Sequence, residues 1–443
     1  MRSSNARTKS WAGDVAEPGN LVFGAYRALG FALRPAVPAM LALRARRGKE
    51  IPERLGERYG QASVARPAGR VAWVHAASVG ETNAVMPLVA RLCERGFHVV
   101  FTSTTVTSAG VAARRLPRNA IHQFGPLDVV TYVDRFLAHW QPEFAIFVES
   151  EIWPTVISRL ERRRTPLIIV NGRLSERSFR AWQRLRFFAR AIFSRIGLTL
   201  AQSQEDGARF GALGAPRVNV TGNLKFDVPP LAAEADEVER LLNDIGQRAV
   251  WIAASTHPGE EEIVAEAHRL MRAAHPGLLT IVVPRHPERG DAVRAIFAER
   301  RLSVAQRSRG EPLVREADVY LADTLGELGL FYRVAPIAFL GGSLVPTGGQ
   351  NPIEPVRLDA AVLHGPHIHN FEEIYRHLDS AAPAMAIADA GGLAAAVGAL
   401  IANPSMAAAR ARAATAALAP LAGALEATLA ALDRYLTSAA ALP

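Results

Sequence analysis

The sequence predicts an α/β protein of two doubly wound, Rossmann-like domains facing a cleft, preceded by an apolar N-terminal segment. Three observations carry this. From residue 71, short apolar runs alternate with amphipathic stretches, the pattern of parallel strands joined by crossover helices. The alternation halts at DVPPLAAEADEVERLL (227–242) and then restarts. The chain has 443 residues, room for two ordinary domains.

Residues 20–47, NLVFGAYRALGFALRPAVPAMLALRARR, are apolar but interrupted by Arg27 and Arg34, and Pro35 and Pro38 break or kink a helix. No uncharged run reaches the ~20 residues that span a bilayer, and no signal-peptide cleavage site stands out. Arg27 and Arg34 are seven apart and share one helical face, leaving the other faces apolar. Arg44, Arg46, Arg47 and Lys49 follow. The segment reads as lying in, or dipping into, an anionic cytoplasmic leaflet. Two other readings stay open: a helix packed on the protein itself, and a single spanning anchor, which two arginines make costly.

A first domain, 48–226, holds the runs VAWVHA (71–76), HVVFTS (98–103), IHQFGP (121–126), FAIFVES (144–150), PLIIVNG (166–172), LTLAQS (198–203) and VNVTGN (218–223). Residues 227–246, two prolines and a polar helix, suit a linker. A second domain, 247–443, holds VWIAAS (250–255), LLTIVVP (278–284), SVAQ (303–306), VYLAD (319–323), IAFLGGS (337–343), AAVLHG (360–365) and AMAIAD (384–389). An Ala-rich helical tail closes it.

Ligands of open α/β sheets sit beyond the carboxyl ends of the strands, so the residues after each run are the candidates. SVGE puts Glu81 where a loop becomes a helix, whose N–H groups are expected to lower its pKa and keep it charged. VESEIWP carries Glu149 and Glu151, two apart and so on one side of an extended chain. GNLKFD offers Lys225, and NGRLSER offers Arg173 and Arg177. In the second domain VPRHPERG places Arg285 and His286 after a strand, and DTLGELG places Leu325, Gly326 and Glu327 at a helix start. GGSLVPTGGQNPIEP (341–355) is a Gly-rich loop with Asn351 as N-cap and Pro352 at N1. Such a helix start is a ready anion site, although the loop is neither a Walker A nor a GxGxxG motif. Helix capping and surface ion pairing are the alternatives for all of these. HGPHIHN (364–370) has three histidines but lacks the surrounding carboxylate–histidine pattern of a metal site, so no metal is expected.

The net charge of +9 favours anionic partners. No RNP, zinc-finger or KH signature supports nucleic acid. One cysteine, Cys93, excludes an internal disulfide and fits a reducing compartment, as a small buried hydrophobe rather than a nucleophile.

Eight motifs in one order, HAASVGE, VESEIWP, NGRLSERS, TGNLKFD, ASTHPGEEE, VPRHPER, DTLGELGLFY and GGSLVPTGGQNPIEP, together with ERLGERYG (53–60), resemble the 3-deoxy-D-manno-octulosonic acid (Kdo) transferases of Gram-negative bacteria. The resemblance covers roughly 20–435 and leaves residues 1–19 as an extension. It implies a GT-B glycosyltransferase that moves Kdo from CMP-Kdo, a donor substrate rather than a cofactor, to the lipid A precursor lipid IVA, on the cytoplasmic side of the inner membrane. It implies no metal and no cofactor. By resemblance, Glu81 is the general base, and Glu149 and Lys225 stabilise the transition state. CMP contacts fall on Arg285, His286, Leu325, Gly326, Glu327, Asn351, Pro352, Ile353 and Glu354. The family often has Leu where this chain has Ile353. Two other readings remain: another GT-B enzyme with a lipid acceptor, and a membrane-bound sugar-nucleotide-binding protein without catalysis.

Overall fold

Val71–Ala76 opens a seven-stranded, wholly parallel sheet as β1. It continues as β2 (His98–Ser103), β3 (Ala120–Phe124), β4 (Phe144–Val148), β5 (Leu167–Gly172), β6 (Leu198–Ala201) and β7 (Val218–Val220), in the spatial order β3-β2-β1-β4-β5-β6-β7. The computed structural model describes residues 34–381 and 387–437 and, before them, Phe23, Gly24, Tyr26, Ala28 and 30–32. These fall into two compact units, residues 1–228 with 422–443, and 229–421. The inner strands β1, β2, β4, β5 and β6 are buried on both faces, as parallel strands covered by helices are, while the edge strand β7 is partly exposed. The apolar runs are therefore continuous rather than alternating, and the sequence shows them clearly. The strand order reverses between β1 and β4, which makes their carboxyl ends the topological switch point.

The second unit holds a six-stranded parallel sheet: β8 (Val250–Thr256), β9 (Leu279–Pro284), β10 (Val304–Gln306), β11 (Val319–Leu321), β12 (Ile337–Leu340) and β13 (Ala361–His364). Its order is β10-β11-β9-β8-β12-β13, with the switch between β8 and β12. Of the expected run at 384–389, residues 384–386 lie outside the described residues. Its described end is not strand, since Asp389 instead caps the helix Ala390–Ala402 by accepting from Gly392 N–H.

Two domain boundaries differ from expectation. The helix Ala235–Ile245 is not linker: it buries Leu241 and Ile245 in the second unit's core, beside Leu330, Phe331 and Val334. The chain passes between units at Val228–Pro229. The final helix, Ala424–Thr437, belongs to the first unit. It buries Leu429, Leu432 and Leu436 in a core shared with Val85, Leu88, Val89 and Leu92 of the helix Val79–Glu94. Each such leucine contributes about 1.5–3 kcal/mol, so this helix is part of that fold and not a tail. Asp227 fastens its start by accepting from Gly423 N–H (2.7 Å) and Leu425 N–H (2.6 Å).

The N-terminal segment is partly committed to the first unit's core. Phe23 is buried against Phe188 (ring centroids 6.1 Å apart), and the Tyr26 hydroxyl donates to Asp128 (3.0 Å). Val37 and Leu41 of the helix Val37–Arg46 pack on Tyr132. Arg34 lies over the Tyr132 ring, while Arg27 is outside the described residues. Among the described residues, the stretch long and apolar enough to cross a membrane is C-terminal, Pro404–Thr437. It is two helices, Pro404–Leu418 and Ala424–Thr437, separated by a 3₁₀ turn and Gly423, and each buries one face. Cys93 is half-buried, and burial pushes its thiol up to about 11, which suits packing rather than nucleophilic chemistry.

Candidate active site

Each strand at the first unit's switch point is followed by an acid. After β1, Ser78 caps the helix Val79–Glu94, and Glu81 stands at its third position, an arrangement close to a capping box. The Ser78 hydroxyl accepts from Glu81 N–H (3.2 Å) and donates to Glu81 Oε1 (2.8 Å). Ala77 N–H donates to Oε2 (2.9 Å). Sequence reasoning expects the helix start to hold this carboxyl low and charged. The structure gives the opposite balance. Burial outweighs the two hydrogen bonds, the charges of Glu149 and Glu151 add to it, and the Glu81 carboxyl rises to about 7. A carboxylate poised there is half-deprotonated at neutral pH and basic enough to take a proton from a hydroxyl.

After β4, Glu149 adopts φ +59°, a left-handed conformation that costs a non-glycine residue on the order of 1 kcal/mol. The turn separates the two acids of VESEIWP, which extended geometry would have set side by side. Glu149 accepts from Lys225 Nζ at 2.8 Å. Lys225 is held in the 3₁₀ turn Leu224–Asp227, whose start is pinned by Asn171 Oδ1 accepting from Leu224 N–H (2.8 Å). Asn171 is the Asn of NGRLSER and is itself buried at φ +54°. Arg173 and Arg177 of that motif are exposed.

Glu151 takes a different partner set. It accepts from Trp153 Nε1 (2.9 Å) and lies 3.6 Å from His75 Nε2. His75 is fully buried in β1, its Nδ1 2.8 Å from the Thr102 hydroxyl, which in turn accepts from Trp73 Nε1 (2.8 Å). His75 and Trp153 stand inside HAASVGE and VESEIWP, but the motifs give them no role, and Thr102 lies outside every motif. A lone His within an apolar run carries no spacing signal, and only the register of β1 against β2 (His75 opposite Thr102) brings these groups together.

In the second unit the Gly-rich loop departs from expectation. Its first N–H groups do not form an open anion nest. Gly342, Ser343 and Leu344 donate to the Glu260 carboxylate (2.6, 3.0 and 2.9 Å), as does His257 N–H (2.9 Å). The helix that follows is a single turn, Ile353–Val356, with Pro352 at the cap. Asn351 still caps in effect, because its Oδ1 accepts from Ile353 N–H (3.1 Å). Ile353 and Pro352 are buried, so the Ile353 side chain serves the core and not a ligand. Glu354 is partly exposed, with Asn351 Nδ2 3.4 Å away. Arg285 and His286 are exposed after β9, and His286 lies 3.5 Å from Glu288 and near His257. Leu325 is 74% exposed and precedes Gly326, whose φ of +87° needs a glycine. Glu327 is paired with Arg307. His364 of the histidine-rich loop is buried and 3.3 Å from Asp379.

Residues 53–228 match the family described as 3-deoxy-D-manno-octulosonic-acid transferase (kdotransferase). The chain is 37% identical over 363 residues to the 3-deoxy-D-manno-octulosonic acid transferase of Haemophilus influenzae, spanning 80% of this chain and 84% of that one. The chain belongs to the Kdo transferase family. As a Kdo transferase it is a glycosyltransferase of lipopolysaccharide biosynthesis. Among solved structures it is similar to the C-terminal CMP-Kdo binding domain of WaaA from Acinetobacter baumannii, at 33% identity, covering 42% of this chain and 97% of that one with a TM-score of 0.40. The UDP-GlcNAc 2-epimerase of Neisseria meningitidis aligns over 83% of this chain and 100% of that one at TM-score 0.56 and 12% identity. That likeness bears on fold alone, two parallel-sheet α/β domains of the GT-B kind. In this Kdo transferase, then, the first unit's switch point brings together an acid near neutral pKa and an acid–lysine pair. The second unit presents Arg285, His286, Leu325 and Gly326 at exposed loop positions and uses Glu260 as scaffold.

Proposed function

We propose that the protein transfers Kdo from CMP-Kdo to lipid IVA by direct, inverting displacement, with Glu81 as general base. The observation that carries this is Glu81 itself: a carboxyl on a rigid helix start at a topological switch point, raised to about 7. The acceptor hydroxyl oxygen bonds to the anomeric carbon as the bond from that carbon to the CMP phosphate breaks. CMP leaves with the electron pair, and the hydroxyl proton passes to Glu81. Lys225, held by Glu149, supplies positive charge for the charge that develops on the reacting groups. Arg285, His286, the loop around Gly326, and Asn351 with Glu354 hold the donor. Mass spectrometry of lipid IVA, incubated with the protein and continuously supplied CMP-Kdo, is expected to show a gain of one or more Kdo masses. No gain with CMP still bound would overturn the acceptor or the sugar.

The same reading places the enzyme on the cytoplasmic face of the inner membrane. Phe31, Met40 and Leu43 are 69, 43 and 49% exposed although neighbouring residues of the segment are core. Arg46, Arg47 and Lys49 beside them are exposed. Phe188, which touches Phe23 and Tyr26, follows exposed Leu185 and Phe187. Apolar side chains ringed by basic ones fit an anionic lipid surface. Combined Phe31→Ser, Met40→Ser and Leu43→Ser substitutions are expected to cut co-sedimentation with phosphatidylethanolamine–phosphatidylglycerol vesicles at least tenfold, since losing about two lipid-buried CH₂ groups at ~0.8 kcal/mol each already suffices. Unchanged sedimentation would sink the lipid-docking reading.

A further inference from the structure

Arg307 lies outside every motif that the family resemblance marks, yet its guanidinium meets three polar side chains, those of Glu327, Glu237 and Tyr320. It follows β10, in the 3₁₀ turn Arg307–Arg309. Its guanidinium grips Glu327 through both oxygens: Nε donates to Oε2 (2.7 Å) and Nη2 to Oε1 (2.5 Å). Nη2 also donates to Glu237 (2.8 Å) in the first turn of the helix Ala235–Ile245, and Nη1 donates to the Tyr320 hydroxyl (3.0 Å). The group stands over the Phe331 ring at 5.6 Å, with only 15% of its side chain exposed. The Thr324 hydroxyl also donates to Glu327.

The same turn fastens the other end of the loop DTLGE. Asp323 accepts from Gln306 Nε2 (2.7 Å), Ser308 N–H (3.0 Å) and the Ser308 hydroxyl (2.7 Å). Residues 306–308 thus hold both acids of the loop and leave Leu325 and Gly326 at its tip.

We propose that Arg307 is a positioning residue for the donor. It fixes Glu327 so that the carboxylate accepts from neutral donor groups of the nucleotide, such as hydroxyls, while the guanidinium cancels the charge that would repel an anionic sugar nucleotide. This rests on the reading of Glu327 as a donor-binding residue. Two pieces of chemistry support it. A bare carboxylate near a phosphate is unfavourable, whereas a carboxylate in a bidentate arginine pair presents little net charge and retains free lone pairs. The anchors on Glu237, Tyr320 and Phe331 keep Arg307 from turning toward the ligand itself. The pair is therefore built to orient the acid and to neutralise it.

The test is CMP binding by calorimetry, with donor KM and kcat, on the full chain. Arg307→Met is expected to weaken CMP binding and raise the donor KM by about tenfold each, with kcat within about twofold, as loss of charge compensation predicts. Adding Glu327→Gln removes the orphaned charge, keeps an acceptor, and is expected to restore most of the affinity. A role in folding alone would instead lower the melting midpoint of Arg307→Met and its active fraction, so that kcat would fall with the affinity. Unchanged CMP affinity in Arg307→Met overturns the proposal, as does a loss that Glu327→Gln fails to recover. If the unaltered chain does not bind CMP, the donor reading fails and this proposal falls with it.

Discussion

Glu81→Gln is expected to lower kcat about 10²- to 10⁴-fold, the range that a positioned general base supplies, while CMP affinity stays the same. The substitution keeps the side chain's shape and an acceptor for Ala77 N–H, so the helix start survives. The pH dependence gives a second reading. Glu81 works only when deprotonated, and its carboxyl sits at about 7 because of burial, with the charges of Glu149 and Glu151 adding to it. The rate of the unaltered enzyme, as kcat/KM, should therefore rise with pH and level off above about 7. The folded value of Glu81 lies above its unfolded value, so the folded state is favoured while the group is protonated, and that contribution is lost as pH rises through about 7. A glutamine never ionises. Glu81→Gln should therefore melt no lower than the unaltered protein at pH 8, which separates lost chemistry from lost fold. Near-normal turnover in this variant would remove Glu81 from the role of base.

The strands were legible because a parallel sheet covered on both faces needs unbroken apolar runs, and those runs stand in the sequence as VAWVHA, HVVFTS and FAIFV. The acids at the strand ends were legible by position, since Glu81 and Glu149 follow the two strands that flank the switch point. What the sequence could not show depends on distant partners. An Ala-rich amphipathic helix carries no mark of which core it serves, and Asp227, 196 residues earlier, is what draws Gly423 and the last helix back to the first unit. His75 and Trp153 behind Glu151, and Arg307 behind Glu327, are second-layer groups whose roles depend on register and loop packing. The raised pKa of Glu81 is not legible locally, because the sequence around a cap shows its hydrogen bonds but not its burial.

That same ambiguity yields the other large expected effect. Glu260 and Glu81 look alike in sequence, each an acid at the start of a helix that follows a strand. Their surroundings differ in what the carboxylate must satisfy. Glu81 meets one backbone N–H and one hydroxyl. Glu260 is 0% exposed and receives four backbone N–H groups, from His257, Gly342, Ser343 and Leu344, so it ties the loop after β8 to the loop after β12. The approach is close: a Cβ on Gly341 would lie 2.4 Å from the Ser255 carbonyl oxygen. Glu260→Ala leaves those donors without a partner in a buried site, at a cost of about 3–5 kcal/mol. For a unit of this size that corresponds to a melting midpoint lower by roughly 6–20 °C. Backbone amides of residues 250–260 and 337–345 should then exchange faster with solvent, read by mass spectrometry, while those of β1 to β7 stay protected. CMP binding should weaken as a consequence of the loosened loops. A variant that melts like the unaltered protein yet no longer binds CMP would reverse the assignment, making Glu260 a ligand group rather than the scaffold of the Gly-rich loop.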